Sequence, residues 1–307
     1  MSVFTCISLA DGQEVSPPDA CVLCLGNFDG VHLAHQALLK KAVQLRNEHF
    51  SSAACGVFCF SSLSSDHLLA TPPPHLSTTE QKAELFASCG MEYLFLADFS
   101  AVRNRSPEDF VEQILLGGCH CAVAVCGFNY KFGKGGVGTP DLLQKLLNAP
   151  VWVQEEVKKD GKTVSSTEIR RLLLDGQAEE AAKLLTRPYS FTSEVIHGKA
   201  LGQTIGVPTI NQDFPKGMLI PRHGVYITDC EINGVHYRGV SNVGSHPTVD
   251  NGAHVNCETH LLDFRSTVYG REVTVSFLKF LRPEKKFDSL ESLCLQLQDD
   301  IRVAKEY

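Results

Sequence analysis

Through about residue 186, short apolar runs alternate with amphipathic stretches. The runs Cys21–Leu25, Ala54–Phe60, Tyr93–Ala97, Ala122–Cys126 and Val151–Gln154 predict strands; His35–Asn47, Thr79–Cys89 and Pro107–Leu116 predict helices. Strands and helices in alternation predict an α/β domain, a parallel sheet covered on both faces. Beyond "LLTRPYSF" the texture changes to turn-rich strands at Phe191–Ile196, Gly224–Ile232, Val235–Val240, Val255–Leu262 and Glu272–Phe280. Asn233 and Gly234 join two of these as a hairpin turn that accepts positive φ. An antiparallel β-barrel or sandwich is expected, and the division falls between residues 186 and 187. The tail carries Leu290, Leu293, Leu297 and Ile301 at helical spacing, so a C-terminal helix should pack on the second domain.

Composition narrows the chemistry. With 307 residues, 43% hydrophobic and 21% charged, the chain is long enough for two cores. The formal charge of −7 disfavours a nucleic-acid surface, which needs clustered Lys and Arg to displace counterions. A small anionic substrate stays open, given local cations and a divalent metal. The first residues lack the pattern of a signal peptide, and no apolar run approaches the roughly 20 residues of a bilayer span. A soluble, cytoplasmic protein without a membrane partner is expected; the oligomeric state is left open. The 12 cysteines are scattered through apolar segments and read as reduced core thiols. The Cys21/Cys24 pair and the Cys119-His120-Cys121 run keep a metal or redox alternative in view.

The stretch "LCLGNFDGVHLAHQALLKKA" (residues 23–42) has a glycine-bracketed turn where a strand should end and a helix begin. A helix starting near Val31 or His32 places His32 and His35 on one face of its first turn, beside free backbone amides and the positive dipole end. That arrangement suits phosphate, and in particular the charge that develops during nucleotidyl transfer. The alternative is that His32 caps the turn while His35 packs on the sheet. "SSTEIRRLLLDG" (residues 165–176) reads as a second helix start, capped through Ser165 and Glu168 and stopped at Gly176. Ser166 and Thr167 could donate to phosphate there, with Arg170 one turn on; an ordinary capped surface helix is the other reading. In "HGKALGQTIGVPTIN" (residues 197–211), Gly198, Gly202 and Gly206 would let amides approach phosphate, while Thr209 and Asn211 offer neutral oxygens to Mg²⁺. A plain glycine-rich hairpin remains the alternative.

These segments carry a resemblance. "GNFDGVHLAH" is similar to the first signature of the nucleotidyltransferase superfamily, whose domain is Rossmann-like; "VSSTEIRRLL" and "VCGFNYKFGKGGVG" resemble further motifs of its FAD synthetase branch. "GVPTIN", "GVSNVGSHPTV", "NCETHLLDF" and "FLRPEKKF" resemble a flavokinase barrel. Over nearly the whole chain the sequence resembles the prokaryotic bifunctional riboflavin kinase/FAD synthetase family. The resemblance implies phosphorylation of riboflavin to FMN by residues 187–307 and adenylylation of FMN to FAD by residues 1–186, with ATP as cosubstrate and Mg²⁺ in both. It further implies that Gly26, Phe28 and Asp29 shape the nucleotide turn and that His32 and His35 contact ATP phosphates. Asn129 would lie near the nucleotide, and Ser166, Thr167 and Arg170 would close on the triphosphate. Glu258 would be the base for the riboflavin 5′-hydroxyl, and Thr209 and Asn211 would hold the metal. Arg282 would join Lys285 and Lys286 in a cationic flap. Ala34 stands where the family usually has glycine, "FCFSSLSSD" (residues 58–66) lacks the family's acidic and Pro-His-Pro residues, and Leu201 and Gln203 stand where arginines are frequent. A kinase with a weak adenylyltransferase half, or a non-catalytic flavin-binding protein, are the readings that compete.

Overall fold

The computed structural model describes residues 4–9, 16–61, 64–198, 207–247 and 253–307. Gly202 and Gly206 lie outside them. The chain forms two compact units, Met1–Ser166 and Thr167–Tyr307.

The first unit runs β1 (Thr5–Ser8), β2 (Cys21–Leu25), α1 (Leu33–His49), β3 (Ala54–Phe60), α2 (Ser64–Leu68), α3 (Thr79–Ser88), β4 (Tyr93–Ala97), α4 (Phe99–Val102), α5 (Pro107–Asp109), β5 (Cys121–Gly127), α6 (Pro140–Leu147) and β6 (Val151–Gln154), then a small ribbon of β7 (Lys158–Lys159) and β8 (Lys162–Thr163). Six strands form one sheet in the order β1-β4-β3-β2-β5-β6, and every pairing is parallel. Strand β2 is buried along its whole length because helices cover both faces. Its odd residues Cys21, Leu23 and Leu25 pack with Phe58, Phe95, Phe110 and Leu143. Its even residues Val22 and Cys24 pack with Leu38, Leu39, Ala42 and Phe86 on the other face.

One expected helix is built differently. Pro107–Leu116 starts as α5, with Ser106 capping and Pro107 at the first position, and continues as a π-helical segment, Phe110–Leu116. Its bonds reach back five residues, as from Gly117 N–H to Glu112 and from Cys119 N–H to Ile114. The wider turn buries Phe110, Val111, Ile114 and Leu115 together.

The second unit opens with α7 (Ser166–Leu174), whose first residue still belongs to the first unit, and α8 (Ala178–Leu185). Helix α7 stops as expected at Gly176, φ +79°, where Gln177 N–H bonds Leu172 and Gly176 N–H bonds Leu173. Six strands follow: β9 (Tyr189–Ile196), β10 (Ile210–Asp213), β11 (Gly224–Ile232), β12 (Val235–Pro247), β13 (Ala253–Leu261) and β14 (Glu272–Arg282). They close a barrel in the order β10-β13-β12-β11-β14-β9, which decides between barrel and sandwich. Asn233 and Gly234, both at positive φ, join β11 to β12. Tyr189, Phe191, Tyr226 and Phe277 fill the interior. Helix α9 (Leu290–Glu306) covers Val225, Ile227, Val240 and Leu262 with Ile301, Val303 and Ala304. The apolar stripe expected of α9 starts late: Leu290 is exposed, and Leu293, Leu297 and Ile301 are half-buried.

Candidate active sites

In the sheet order, the chain moves to one side of β2 through β3 and β4, and to the other through β5 and β6. The carboxyl ends of β2 and β5 therefore flank the point where an open α/β sheet gathers ligands. The turn after β2 is tightly wound, with Phe28 at φ +49°, Gly30 at +80° and Val31 at +42°. A β-branched residue at positive φ is strained, and such strain persists only where neighbours over-determine it. Here they do. Asp29 is buried, and its Oδ1 accepts the Leu76 N–H at 2.9 Å. Gly30 N–H donates to Ser77 Oγ at 3.0 Å, the Gln36 amide donates to the Val31 carbonyl at 3.0 Å, and the Ser166 hydroxyl donates to the Asp29 carbonyl at 2.9 Å. Phe28 is fully buried and meets Phe86 edge-on at 5.4 Å. A Cβ at Gly26 would sit 3.1 Å from the Phe28 ring.

Helix α1 begins at Leu33, so His32 is its N-cap rather than a member of its first turn. Its Nδ1 accepts the His35 N–H at 3.4 Å, and the two rings stack at 3.7 Å with 13° between their planes. The capping and paired-imidazole readings are thus one arrangement: capping holds one ring, and the next turn lays the other on it. With Nδ1 accepting, the proton of neutral His32 resides on Nε2. His35 Nδ1 is buried without a hydrogen-bond partner. Burial, then the adjoining His32, then Lys82 hold His35 well below the usual histidine range, so its ring is neutral at pH 7. A bound phosphate would reverse that balance by supplying an opposite charge.

Asn129 is exposed just beyond β5, on the adjoining strand end, followed by Gly133, Gly135 and Gly136 at positive φ. Ser166 carries its hydroxyl to Asp29 and so braces the turn. Thr167 and Arg170 lie in α7. Lys82 of α3 escapes the motif reading; it is 4% exposed. The signal was present, since a lysine four residues before Phe86 sits on the apolar stripe of its helix.

In the barrel, residues opposite each other across strands share a face, and the face alternates along each strand. Gln212, opposite Cys257, points inward, where its side-chain amide donates to the carbonyls of Ser193 at 2.7 Å and Val273 at 2.8 Å. Asn211 and Glu258, opposite each other, consequently point outward. Glu258 is also opposite Asn242 of β12. A carboxylate thus stands between two carboxamides on the outer face of three adjacent strands. Asn256, two residues before Glu258 on the same face, donates its side-chain amide to Asn211 Oδ1 at 3.2 Å. Gly198 runs so close to Asn211 that a Cβ would stand 2.6 Å from its Cγ. Thr209, half-buried, immediately precedes β10.

Arg282 is placed otherwise than a cationic flap requires. Its Nε and Nη2 embrace the buried Asp300 carboxylate at 2.7–3.1 Å, tying β14 to α9. Lys285 and Lys286 are exposed.

All 12 cysteines are free. Cys21 and Cys24 lie three apart on a strand and face opposite layers, so they cannot grip one ion. No cluster of three or more metal-ligating side chains occurs among the described residues. Burial raises the Cys21 and Cys24 thiols, and pushes Cys121 and Cys126 up to about 12; the core thiols are inert. Among the described residues no helix is long and apolar enough to cross a membrane.

Fold and sites define a two-domain, nucleotide-dependent transferase. The FAD synthetase family model matches residues 15–168 and the riboflavin kinase model residues 185–307. A Listeria monocytogenes protein named bifunctional riboflavin kinase/FMN adenylyltransferase is 35% identical, over 91% of this chain and 90% of its own. The Bacillus subtilis protein of that name is 34% identical, over 93% and 92%. A Streptococcus pneumoniae crystal structure, described as a macrolide-efflux protein, superposes with a TM-score of 0.90 at 30% identity, covering 98% of this chain and 99% of that one. The chain belongs to the bifunctional riboflavin kinase/FAD synthetase family.

Proposed function

We propose that the chain phosphorylates riboflavin to FMN and adenylylates FMN to FAD, using ATP in both reactions, with the functional boundary at residues 186/187. The observation that carries the first half is the stacked His32–His35 pair at the start of α1, seated where the sheet order reverses. His32 Nε2–H, the α1 amides and His35 would receive the ATP phosphates. An oxygen of the FMN phosphate attacks the α-phosphorus, and the bond to pyrophosphate breaks as charge passes to the leaving group. Donors fixed beforehand lower that barrier. Gly26, Phe28, Asp29 and Ser166 hold the turn in shape, and Asn129 borders the nucleotide. Thr167 and Arg170 complete the motif and are assigned by it alone.

In the barrel, Glu258 takes the proton of the riboflavin 5′-hydroxyl as its oxygen bonds to the γ-phosphorus and the β–γ bridge opens, releasing ADP. Thr209 and Asn211 fit Mg²⁺: both offer neutral oxygens, and Asn256 fixes the orientation of Asn211 while leaving a lone pair on Oδ1. Mg²⁺ would offset phosphate charge there. Gly198 lets backbone approach Asn211, and Gly202 and Gly206 follow it in the loop assigned by the resemblance. Arg282 supports the fold through Asp300 rather than the nucleotide. The 12 free thiols support a reducing, cytoplasmic setting.

Purified protein given riboflavin, ATP and Mg²⁺, with flavins separated by chromatography, should yield FMN and then FAD. FMN without FAD would leave a kinase alone; neither product, with flavin still bound, would leave a flavin-binding protein.

A further inference from the structure

Helix α3 carries a little-exposed cation, Lys82. Lys82 is only 4% exposed, and its ammonium takes part in none of the ion pairs seen among the described residues, such as Arg46–Glu92 and Asp66–His75 nearby in the chain. It shares a helix stripe with Phe86, one turn on. Phe86 meets Phe28 at 5.4 Å, and Phe28 meets His35 at 5.0 Å, so this stripe faces the turn after β2. The chain leading into α3 is bonded to the same turn through Leu76 and Ser77. The charge of Lys82 is felt at His35 and at Cys59, near the carboxyl end of β3.

A lysine whose stem is packed away without a carboxylate beside its ammonium gives up charge solvation, and an apolar residue would serve packing better. On the near side of the same turn, His35 Nδ1 is buried and unpartnered among the described residues. A phosphate oxyanion satisfies both groups, accepting a charged hydrogen bond from the lysine and a proton-bearing nitrogen from the imidazole.

We propose that Lys82 is a phosphate-binding residue of the adenylyl-transfer site, its ammonium meeting an oxyanion of the reacting phosphates opposite His35. This rests on the adenylyltransferase reading of the first unit. The phosphate comes either from ATP or from FMN, and kinetics separate the two.

The test compares full-length wild type with Lys82→Met and Lys82→Arg in FAD synthesis and in its reverse, FAD plus pyrophosphate giving FMN plus ATP. Riboflavin phosphorylation in the barrel reports folding. Lys82→Met should lower kcat/KM for FAD synthesis on the order of 10- to 100-fold, the scale of one charged hydrogen bond. Riboflavin phosphorylation should be unchanged and the melting temperature equal or higher, and Lys82→Arg should recover most of the loss. A raised KM for ATP and pyrophosphate assigns the triphosphate; a raised KM for FMN assigns the flavin phosphate. Lys82→Met within threefold of wild type in every FAD parameter overturns the proposal, as does a lowered melting temperature with both reactions lost. If wild type makes no FAD, the adenylyltransferase reading fails. Calorimetric binding of inorganic pyrophosphate then decides for Lys82: weaker in Lys82→Met upholds it, and equal or absent binding rejects it.

Discussion

One site is made at the end of a strand, the other along strands. The turn after β2, proposed to hold the nucleotide, crowds three positive-φ residues into four positions and is clamped from Leu76, Ser77 and Ser166. His32 is buried, and the His35 ring, held well below the usual histidine range chiefly by burial, is neutral at pH 7. The barrel site instead sets Asn211, Glu258 and Asn242 side by side on an outer face, with strand register as the positioning device. A turn concentrates backbone donors for a polyanion, whereas a strand face spaces side chains about 5 Å apart, as the proposed metal, base and acceptor would require. The difference should show in how each responds to substitution. The largest effect is expected at the proposed base: Glu258→Gln should cut FMN formation by about 10²- to 10⁴-fold, the range for a general base, while FAD made from supplied FMN stays unchanged. Equal loss of both reactions in a flavin chromatography assay would mean that the two sites are not independent.

The barrel also depends on an ion pair between β14 and α9. Asp300 is buried and Arg282 is 18% exposed at its side chain. Asp300→Ala should destabilise the protein by about 2–3 kcal/mol, below the full cost of an orphaned buried charge because Arg282 is partly wet. Replacing both, as Arg282→Met with Asp300→Leu, should recover most of that loss. Urea denaturation of wild type, Arg282→Met, Asp300→Leu and the double variant gives the coupling; additive losses would show that the pair contributes no more than its two side chains separately.

This pair also marks where sequence reading stopped. In "FLRPEKKF" the charges look alike, and only the fold shows Arg282 turned toward α9 while Lys285 and Lys286 face solvent. Asp300 gives no hint either, standing among the charged residues of an amphipathic helix. The turn was legible because its chemistry is contiguous: glycine, aspartate and two histidines within ten residues. The row in the barrel was legible only as separate motifs, since Asn242 joins Glu258 through a strand pairing 16 positions away. Short strands such as β1 and β10 carry four residues each, too few for a periodicity to emerge. The π-helical segment escaped because its apolar residues also satisfy a helix of ordinary pitch. Lys82 escaped because a lone lysine on an apolar stripe breaks a pattern without announcing a function.

The smallest effect sharpens the contrast between a site sunk in the core and one lying on a surface. His35 is held well below the usual histidine value of 6.5, chiefly by burial. On lowering the pH, the unfolded chain therefore takes a proton at His35 before the folded chain does. The stability contribution of this residue is fully present above pH 6.5 and is lost progressively as the pH falls below it. Between pH 7.5 and 5.5 the melting temperature of wild type should fall more steeply than that of His35→Gln, which keeps a polar side chain without a titrating ring. A nucleotide seated on the histidines should flatten the wild-type slope further, because phosphate raises the folded-state affinity of His35 for its proton. If wild type and His35→Gln follow parallel slopes with and without nucleotide, the imidazole is neither desolvated nor in contact with phosphate, and the turn has lost its claim to the triphosphate.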